Sequence, residues 1–113
     1  MLGVIKAKYI KDYKIRMTFT DGRAGDIDLK EFLDKEHRPI FKALKDENLF
    51  CGFTLKFNTL VWPNGDDLAP EYLYFQAFKD DQSLNKLFRK WGYNGNDKLI
   101  RKSDATPSIK KVA

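Results

Sequence analysis

Residues 14–22 read KIRMTFTDG, and this stretch decides the fold class. Its apolar side chains, Ile15, Met17 and Phe19, occupy every second position between polar ones, which is the period of a β-strand with one buried face. Asp21-Gly22 follows at once. This dipeptide is a strong hairpin signal, because glycine tolerates the positive φ that such turns require. The stretch therefore predicts a strand that leads into an antiparallel hairpin.

Strands are also predicted on either side of this one. Before it, apolar residues alternate with lysines in the same way, which places Ile5, Ala7 and Tyr9 on the buried face, and Asp12-Tyr13 makes a tight connection. After the turn, a third strand over about 24–28 places Ile27 inward. The first 30 residues are therefore expected to form three antiparallel strands.

Two further strands are predicted near the middle of the chain. Phe53, Leu55 and Phe57 alternate with polar residues and form a fourth strand, which we expect to turn at Asn58-Thr59. A short fifth strand follows over Leu60–Trp62 and ends at Pro63. Both strands are assigned to the same small sheet as the first three.

The helical segments have a different apolar spacing. Leu29, Phe32 and Leu33 form an i, i+3, i+4 set beside Asp28, a candidate N-cap. The other predictions are a helix that restarts at Pro39, a turn or short helix over Asp46–Phe50, and a helix over Pro70–Phe78 capped by Asp67 or a neighbour. The order β-β-β-α-α-β-β-α predicts an α+β fold, a small antiparallel sheet of about five strands with helices packed on one face.

Residues 79–113 differ from the rest in charge. They contain nine Lys or Arg against four Asp, whereas residues 1–78 contain twelve basic and twelve acidic side chains. Residues 1–78 are therefore read as a charge-neutral α+β domain and 79–113 as a basic C-terminal extension of the same domain. Within the extension an apolar stripe predicts an amphipathic helix over about 82–91, followed by a turn and a loose tail; the stripe consists of Leu84, Leu87, Phe88 and Trp91.

One run of residues resembles a known family. Residues 62–74 read WPNGDDLAPEYLY, and the similarity continues through Asp12-Tyr13, residues 19–22, Asp28-Leu29 and residues 44–50. Over about 1–75 the chain resembles the bacterial domain-of-unknown-function family 2442. The resemblance implies a small α+β domain without recorded enzymatic activity. It also implies that some relatives carry a C-terminal DNA-binding segment, and that others are encoded beside small partner proteins in apparent toxin–antitoxin pairs.

The residues of this motif have two interpretations. Asp66, Asp67 and Glu71 could form a catalytic pair or a hard metal site, but an aspartate just before a helix is the standard cap. Trp62 could be an exposed binding ring, although a tryptophan at the end of a strand is more often part of the core. We favour the structural interpretation for the motif residues, which are Trp62, Asn64, Gly65 and Asp67.

The sequence lacks the residues that several classes of enzyme use. One histidine, His37, and one cysteine, Cys51, cannot supply the four nitrogen or sulfur donors of a zinc site. Neither GxGxxG nor GxxxxGK[ST] occurs, so no phosphate loop is expected. We therefore expect no enzyme, no cofactor and no metal. Cys51, which lies among Leu49, Phe50 and Phe53, is expected to be a buried, inert thiol.

Two functions from different classes remain open. The first is a protein-interaction module, an antitoxin-like partner of a small protein encoded nearby. The second is a nucleic-acid-binding regulator that uses basic residues of the extension, because clustered Lys and Arg attract phosphates; these residues are Lys86, Arg89, Lys90, Lys98, Arg101 and Lys102. A solvated helix face is the alternative reading of the same residues. The expected location is the cytoplasm, without contact with a membrane, and the expected state is a monomer or a homodimer.

Overall fold

A three-stranded antiparallel sheet forms one side of the molecule. The structure, a computed structural model, describes residues 1–93. The sheet consists of β1 (Val4–Lys11), β2 (Lys14–Phe19) and β3 (Ala24–Asp28), in the order β1-β2-β3. Because directly opposed residues of antiparallel strands share a face, the register places Ile15 and Met17 of β2 on the same face as Tyr9 and Ala7 of β1. This face is the buried one, as the alternation predicted.

Two different turns connect these strands. Asp12 and Tyr13 both have positive φ, 50° and 65°, which is the backbone of a two-residue type I′ turn. The second turn is closed by hydrogen bonds from the Phe19 amide to the Arg23 carbonyl and from the Gly22 amide to the Phe19 carbonyl, with φ of Gly22 at 90°. Both turns lie where the sequence placed them.

A two-stranded sheet holds the other two strands, β4 (Thr54–Lys56) and β5 (Thr59–Val61). Their turn is formed by Phe57 and Asn58, with φ of 54° and 65°, so the expected turn at Asn58-Thr59 was wrong by one residue. Phe57, which was assigned to the fourth strand, therefore lies in the turn itself, and its side chain is 84% exposed. The α+β class is confirmed, and the five strands found among residues 1–93 are divided between two sheets.

Short helices cover the buried face of the first sheet. In chain order they are α1 (Lys30–Lys35), α2 (Pro39–Lys42), α3 (Glu47–Phe50), α4 (Pro70–Phe78) and α5 (Asn85–Trp91), with single 3-10 turns at Ala43–Lys45 and Gln82–Leu84. Pro39 and Pro70 stand in the first turns of α2 and α4, where a missing N–H is harmless. Gly92 ends α5 with φ of 97°.

Two of the predicted helix caps differ in the structure. The N-cap of α4 is Ala69, without a side-chain cap, so the prediction that Asp67 or a neighbouring side chain caps this helix was wrong. Asp67 instead forms an antiparallel β-bridge with Val61. It lies two residues before Ala69, too far from the first turn of α4 to cap it. The N-cap of α1 is Leu29, one residue after the expected Asp28, although Asp28 Oδ1 still accepts a hydrogen bond from the Lys30 amide at 3.0 Å.

One edge of the core is closed by α5. The Phe88 ring is buried and meets the Phe75 ring of α4 edge-to-face, with the centroids 5.1 Å apart. Tyr93 stacks on the same Phe75 ring with the centroids 4.9 Å apart, and Trp91 lies against Tyr74. The apolar stripe of this helix therefore contributes to the same core as α4. Among residues 1–93 no helix combines the length and apolarity needed to cross a membrane.

The start of β1 departs from the predicted alternation. A register shift between Val4 and Lys6 leaves Ile5 outside the ladder, and its side chain is 52% exposed instead of buried. Val4 is buried in its place. An inserted residue of this kind is a β-bulge, which places two residues of one strand opposite one of its partner.

Candidate functional site

The Trp-Pro-Asn-Gly segment forms a tight turn that is anchored from within the core. The Trp62 amide donates to the Asp66 carbonyl and the Gly65 amide to the Trp62 carbonyl, both at 2.9 Å, and Gly65 has φ of 92°. This is the same hydrogen-bond pattern as in the turn at Gly22. The Trp62 ring is buried, and its Nε1 donates to the Phe50 carbonyl at 2.8 Å. The geometry of Trp62 and Gly65 is therefore that of a structural element.

Asn64 and Asp66, two residues of this turn, form a hydrogen-bonded polar pair. Asn64 Nδ2 donates to Asp66 Oδ2 at 3.1 Å and to the Ile40 carbonyl at 3.0 Å, and the Asp66 amide donates back to Asn64 Oδ1. Asp66 is only 4% exposed. Burial raises the pKa of its carboxyl to about 6, while the Asn64 hydrogen bond and the Arg38 charge oppose the increase. Asn64 thus joins the turn to α2 and partly stabilises a buried acid.

The carboxylates of this region do not assemble into a metal site. Asp66 faces Asn64, Asp67 is bridged through its backbone to Val61, and Glu71 lies in the first turn of α4. In the described part of the chain, no group of three His, Cys, Asp or Glu side chains is placed to hold a metal ion.

The basic residues predicted on the C-terminal helix are exposed. Lys86, Arg89 and Lys90 lie on the side of α5 away from the core, because Phe88 and its apolar neighbours face α4. The remaining predicted residues, Lys98, Arg101 and Lys102, lie outside the described residues. Assignment of these side chains to a binding site, and the division of the chain at residue 78, stay predictions.

Cys51 is exposed, so the prediction of a buried thiol was wrong. It follows the end of α3, which contains a single turn and buries Phe50. The next residue on so short a helix points away from the core, although its neighbours in the sequence are apolar. Apolar neighbours along the chain therefore did not imply burial at this position.

An apolar surface that the sequence did not predict surrounds the β4–β5 turn. Phe57 is 84% exposed at the tip, and Leu55, earlier on β4, is 38% exposed. The Val4 amide donates to the Asn58 carbonyl at 2.9 Å, which brings the exposed Ile5 near the same tip. Phe57, Leu55 and Ile5 are called the apolar tip below. The sequence would have predicted this exposed surface if the turn had been placed at Phe57-Asn58 instead of Asn58-Thr59.

A second unpredicted surface is the outer face of the first sheet. The register pairs Lys8 with Arg16 and Lys11 with Lys14, and the core-facing pairs lie on the opposite face. Five basic residues therefore share this surface, called the basic face below: Lys6, Lys8, Lys11, Lys14 and Arg16. The alternating basic residues of the two strands indicate this surface, whereas the net charge of residues 1–78, which is zero, gives no sign of it.

Comparison with protein families identifies the chain. The model of a family described as "protein of unknown function (DUF2442)" matches residues 4–79, more than half of the 113 residues. The chain belongs to domain-of-unknown-function family 2442. The segment that matches family 2442 begins at β1 and ends just after α4. It contains the two sheets, the Trp-Pro-Asn-Gly turn, the apolar tip and the basic face. The helix α5 lies beyond the match.

A solved structure shares the fold of this member of family 2442. It is the crystal structure of a Nitrosomonas europaea protein described as a "putative DNA binding protein". The two chains are 17% identical with a TM-score of 0.58, and the match covers 80% of this chain and 59% of the other. This likeness shows the fold, and the chain spans 59% of the length of that protein. A search of the curated proteins gives no match.

Proposed function

We propose that this protein is a non-enzymatic protein-interaction module that binds its partner through the apolar tip. The observation that supports this most is the state of Phe57, an aromatic residue with a left-handed backbone (φ 54°) and an 84% exposed side chain. Aromatic side chains are enriched among the residues that contribute most to binding at protein interfaces.

A comparison of two turns shows why Phe57 is unusual. Type I′ turns favour Asn, Asp or Gly, since a bulky residue at positive φ costs about 1 kcal/mol or more. Tyr13 has a similar backbone, but its ring packs edge-to-face on Phe50 at 5.0 Å and its hydroxyl donates to the Lys45 carbonyl. These contacts offset the strain at Tyr13. Within residues 1–93 the exposed ring of Phe57 gains no comparable burial, and a partner with an apolar pocket would supply it.

The resemblance to family members encoded beside small proteins suggests the identity of the partner. We propose an antitoxin-like role, in which a small protein encoded nearby provides the pocket for Phe57. The non-enzymatic part of the proposal is supported by a residue content of one histidine and one cysteine. The proposed location is the cytoplasm, because a single cysteine allows no internal disulfide.

Co-expression with the product of the adjacent gene tests this proposal. We expect Phe57→Asn to prevent co-purification of that product while the domain stays folded, because asparagine tolerates the turn backbone and should raise the free energy of unfolding by up to about 1 kcal/mol. Thermal unfolding measures the second effect.

Ile40→Asn provides a matched control. Ile40 is an exposed apolar side chain, 46% accessible, but it lies on α2 and not at the tip. This variant should co-purify with the adjacent gene product as the parent does. Failure of the parent to retain that product, or equal retention by Phe57→Asn, would contradict the proposal.

Nucleic-acid binding through the extension is a second candidate function. It is supported by the exposed Lys86, Arg89 and Lys90 on α5 and by the description of the Nitrosomonas europaea protein as a "putative DNA binding protein". Under this candidate, the phosphates of a nucleic acid would contact α5 and the more C-terminal Lys98, Arg101 and Lys102. The duplex titration described in the next subsection distinguishes it from binding elsewhere on the molecule.

A further inference from the structure

The charges of the basic face are arranged at a cost to the fold. Lys8 lies directly opposite Arg16, and Lys11 directly opposite Lys14. Like charges at such positions are destabilising, because their side chains leave the sheet side by side. A strand pair that served only as a scaffold would gain from opposite charges at these positions. Two like-charged pairs on one ribbon therefore indicate an external anion.

The acidic residues of the sheet neutralise only one side of this surface. Arg16 forms an ion pair with Asp26 of β3 at 2.7 Å, and Lys14 lies opposite Asp28. In the described part of the chain, β1 is an edge of the three-stranded order and no acidic strand lies beside it. Among residues 1–93, the exposed Lys6, Lys8 and Lys11 make no ion pair within 4.0 Å.

The composition of the basic face favours a nucleic acid over a protein. Its paired positions are polar, charged or small; besides the five basic residues they are Thr18, Ala24, Asp26 and Asp28. The exposed Ile5 and Ile10 of β1 lie at the two register shifts, outside the paired positions. Protein interfaces usually bury an apolar centre, whereas interfaces with nucleic acids are polar and strongly positive. We propose that the basic face binds the phosphate backbone of a nucleic-acid duplex, without selecting its sequence. None of the five basic residues of this site belongs to the apolar tip or to α5.

Titration of the full chain with a labelled 20-base-pair DNA duplex tests the proposal. Binding followed by fluorescence anisotropy should be clear at about 50 mM salt and should weaken as salt rises. Contact between three phosphates and Lys6, Lys8 and Lys11 gives a slope of log K against log salt of about −2.7. Replacing these three lysines with Ala should bring the slope close to zero, since the remaining Arg16 and Lys14 face Asp26 and Asp28.

Matched variants determine which surface is responsible. Lys86→Ala, Arg89→Ala and Lys90→Ala in one chain remove the same charge from α5 and should leave the slope near that of the parent. Phe57→Asn should also bind the duplex as the parent does, so that failure of the interaction proposal and failure of this one can be told apart. Circular dichroism confirms that each variant is folded.

Three results would overturn the proposal. The first is no binding of the parent at about 50 mM salt. The second is an unchanged slope in the β1 variant combined with a reduced slope in the α5 variant, which would move the site to the extension. The third is binding of poly-glutamate as tight as binding of the duplex, which would make an acidic protein the ligand.

Discussion

Asp66 shows how one buried carboxyl makes stability depend on pH. Burial raises the pKa of this group to about 6, from an ordinary value of 3.8. Between these two values the folded chain holds a proton that the unfolded chain has released. Stability from this group is therefore full at low pH and decreases as pH rises through about 6. Asp21 and Glu36 act in the opposite direction: burial alone would raise their pKa values, but hydrogen bonds from Arg23 and Tyr74 to Asp21 and from Arg38 to Glu36 outweigh it and lower them.

Asp66→Asn should remove this pH dependence. We expect the free energy of unfolding of the variant, minus that of the parent, to rise by on the order of 2–3 kcal/mol between pH 4 and pH 6.5, since each pKa unit corresponds to about 1.4 kcal/mol. Urea unfolding at several pH values measures it, and the subtraction cancels the other carboxyls. Asp34→Asn, at an exposed position on α1, is the control. A constant difference across this range would show that Asp66 does not titrate as described.

At the scale of elements, the β1–β2 ribbon combines two requirements on opposite faces. Its inner face supplies buried side chains such as Ile15 and Met17 to the core. Its outer face carries like charges that the fold itself does not need. Because side chains alternate between the two faces, substitutions on the outer face can change charge without altering the core.

Lys8→Glu should therefore stabilise the domain. The new carboxylate would lie opposite Arg16, and such cross-strand pairs contribute roughly 0.2–1 kcal/mol. Thermal unfolding at low salt should show the increase, and 1 M salt should largely remove it because the Debye length falls to about 3 Å. Lys8→Ala should show a smaller increase. A lower stability of Lys8→Glu at low salt would contradict the like-charge interpretation of this face.

At the scale of the whole molecule, the core extends past the segment matched by the family. Tyr72, Tyr74 and Phe75 of α4 are covered by Phe88 and other rings of the α5 region, and Trp91 and Tyr93 lie against the same helix. The basic residues of α5 are thus attached to an element that also packs into the core.

A chain that ends at residue 78 should consequently be much less stable than the full chain. Removal of α5 exposes three aromatic residues of α4, and the single change Phe88→Ala should already cost about 3–5 kcal/mol. Chemical unfolding and size-exclusion chromatography compare the two with the parent. Lys86→Ala, on the exposed side of the same helix, should unfold like the parent. An unchanged unfolding midpoint for the shortened chain would show that α5 is an appended element.

Patterns that depend on neighbouring residues were predictable from the sequence. The alternation around Ile15, Met17 and Phe19 located β2, and proline with helical spacing located α2 and α4, because backbone geometry repeats over two or about four residues. The burial of Trp62 also followed from its place at a strand end. Asp21-Gly22 located a turn because glycine is favoured wherever φ must be positive.

Phe57 and Cys51 were misplaced for two local reasons. Phe57 was assigned to a strand but lies in the turn itself, and Cys51 follows a one-turn helix, which leaves it outside the core. Neither difference changes the local composition, so the apolar neighbours of Cys51 suggested burial there. The N-cap of α4 expected at Asp67 is also absent, because the Asp67 backbone forms the β-bridge with Val61.

By itself the sequence determined the strands, most of the helices, their order and the absence of any net charge over residues 1–78. Only the tertiary structure decided where those charges lie. The register of β1 on β2 gathers lysines and Arg16 from two separate segments on one face, while acidic residues such as Asp66 and Asp21 are distributed elsewhere. A count along the chain sums charges regardless of direction, whereas strand pairing separates them by face; the basic face and the apolar tip therefore became visible only in three dimensions.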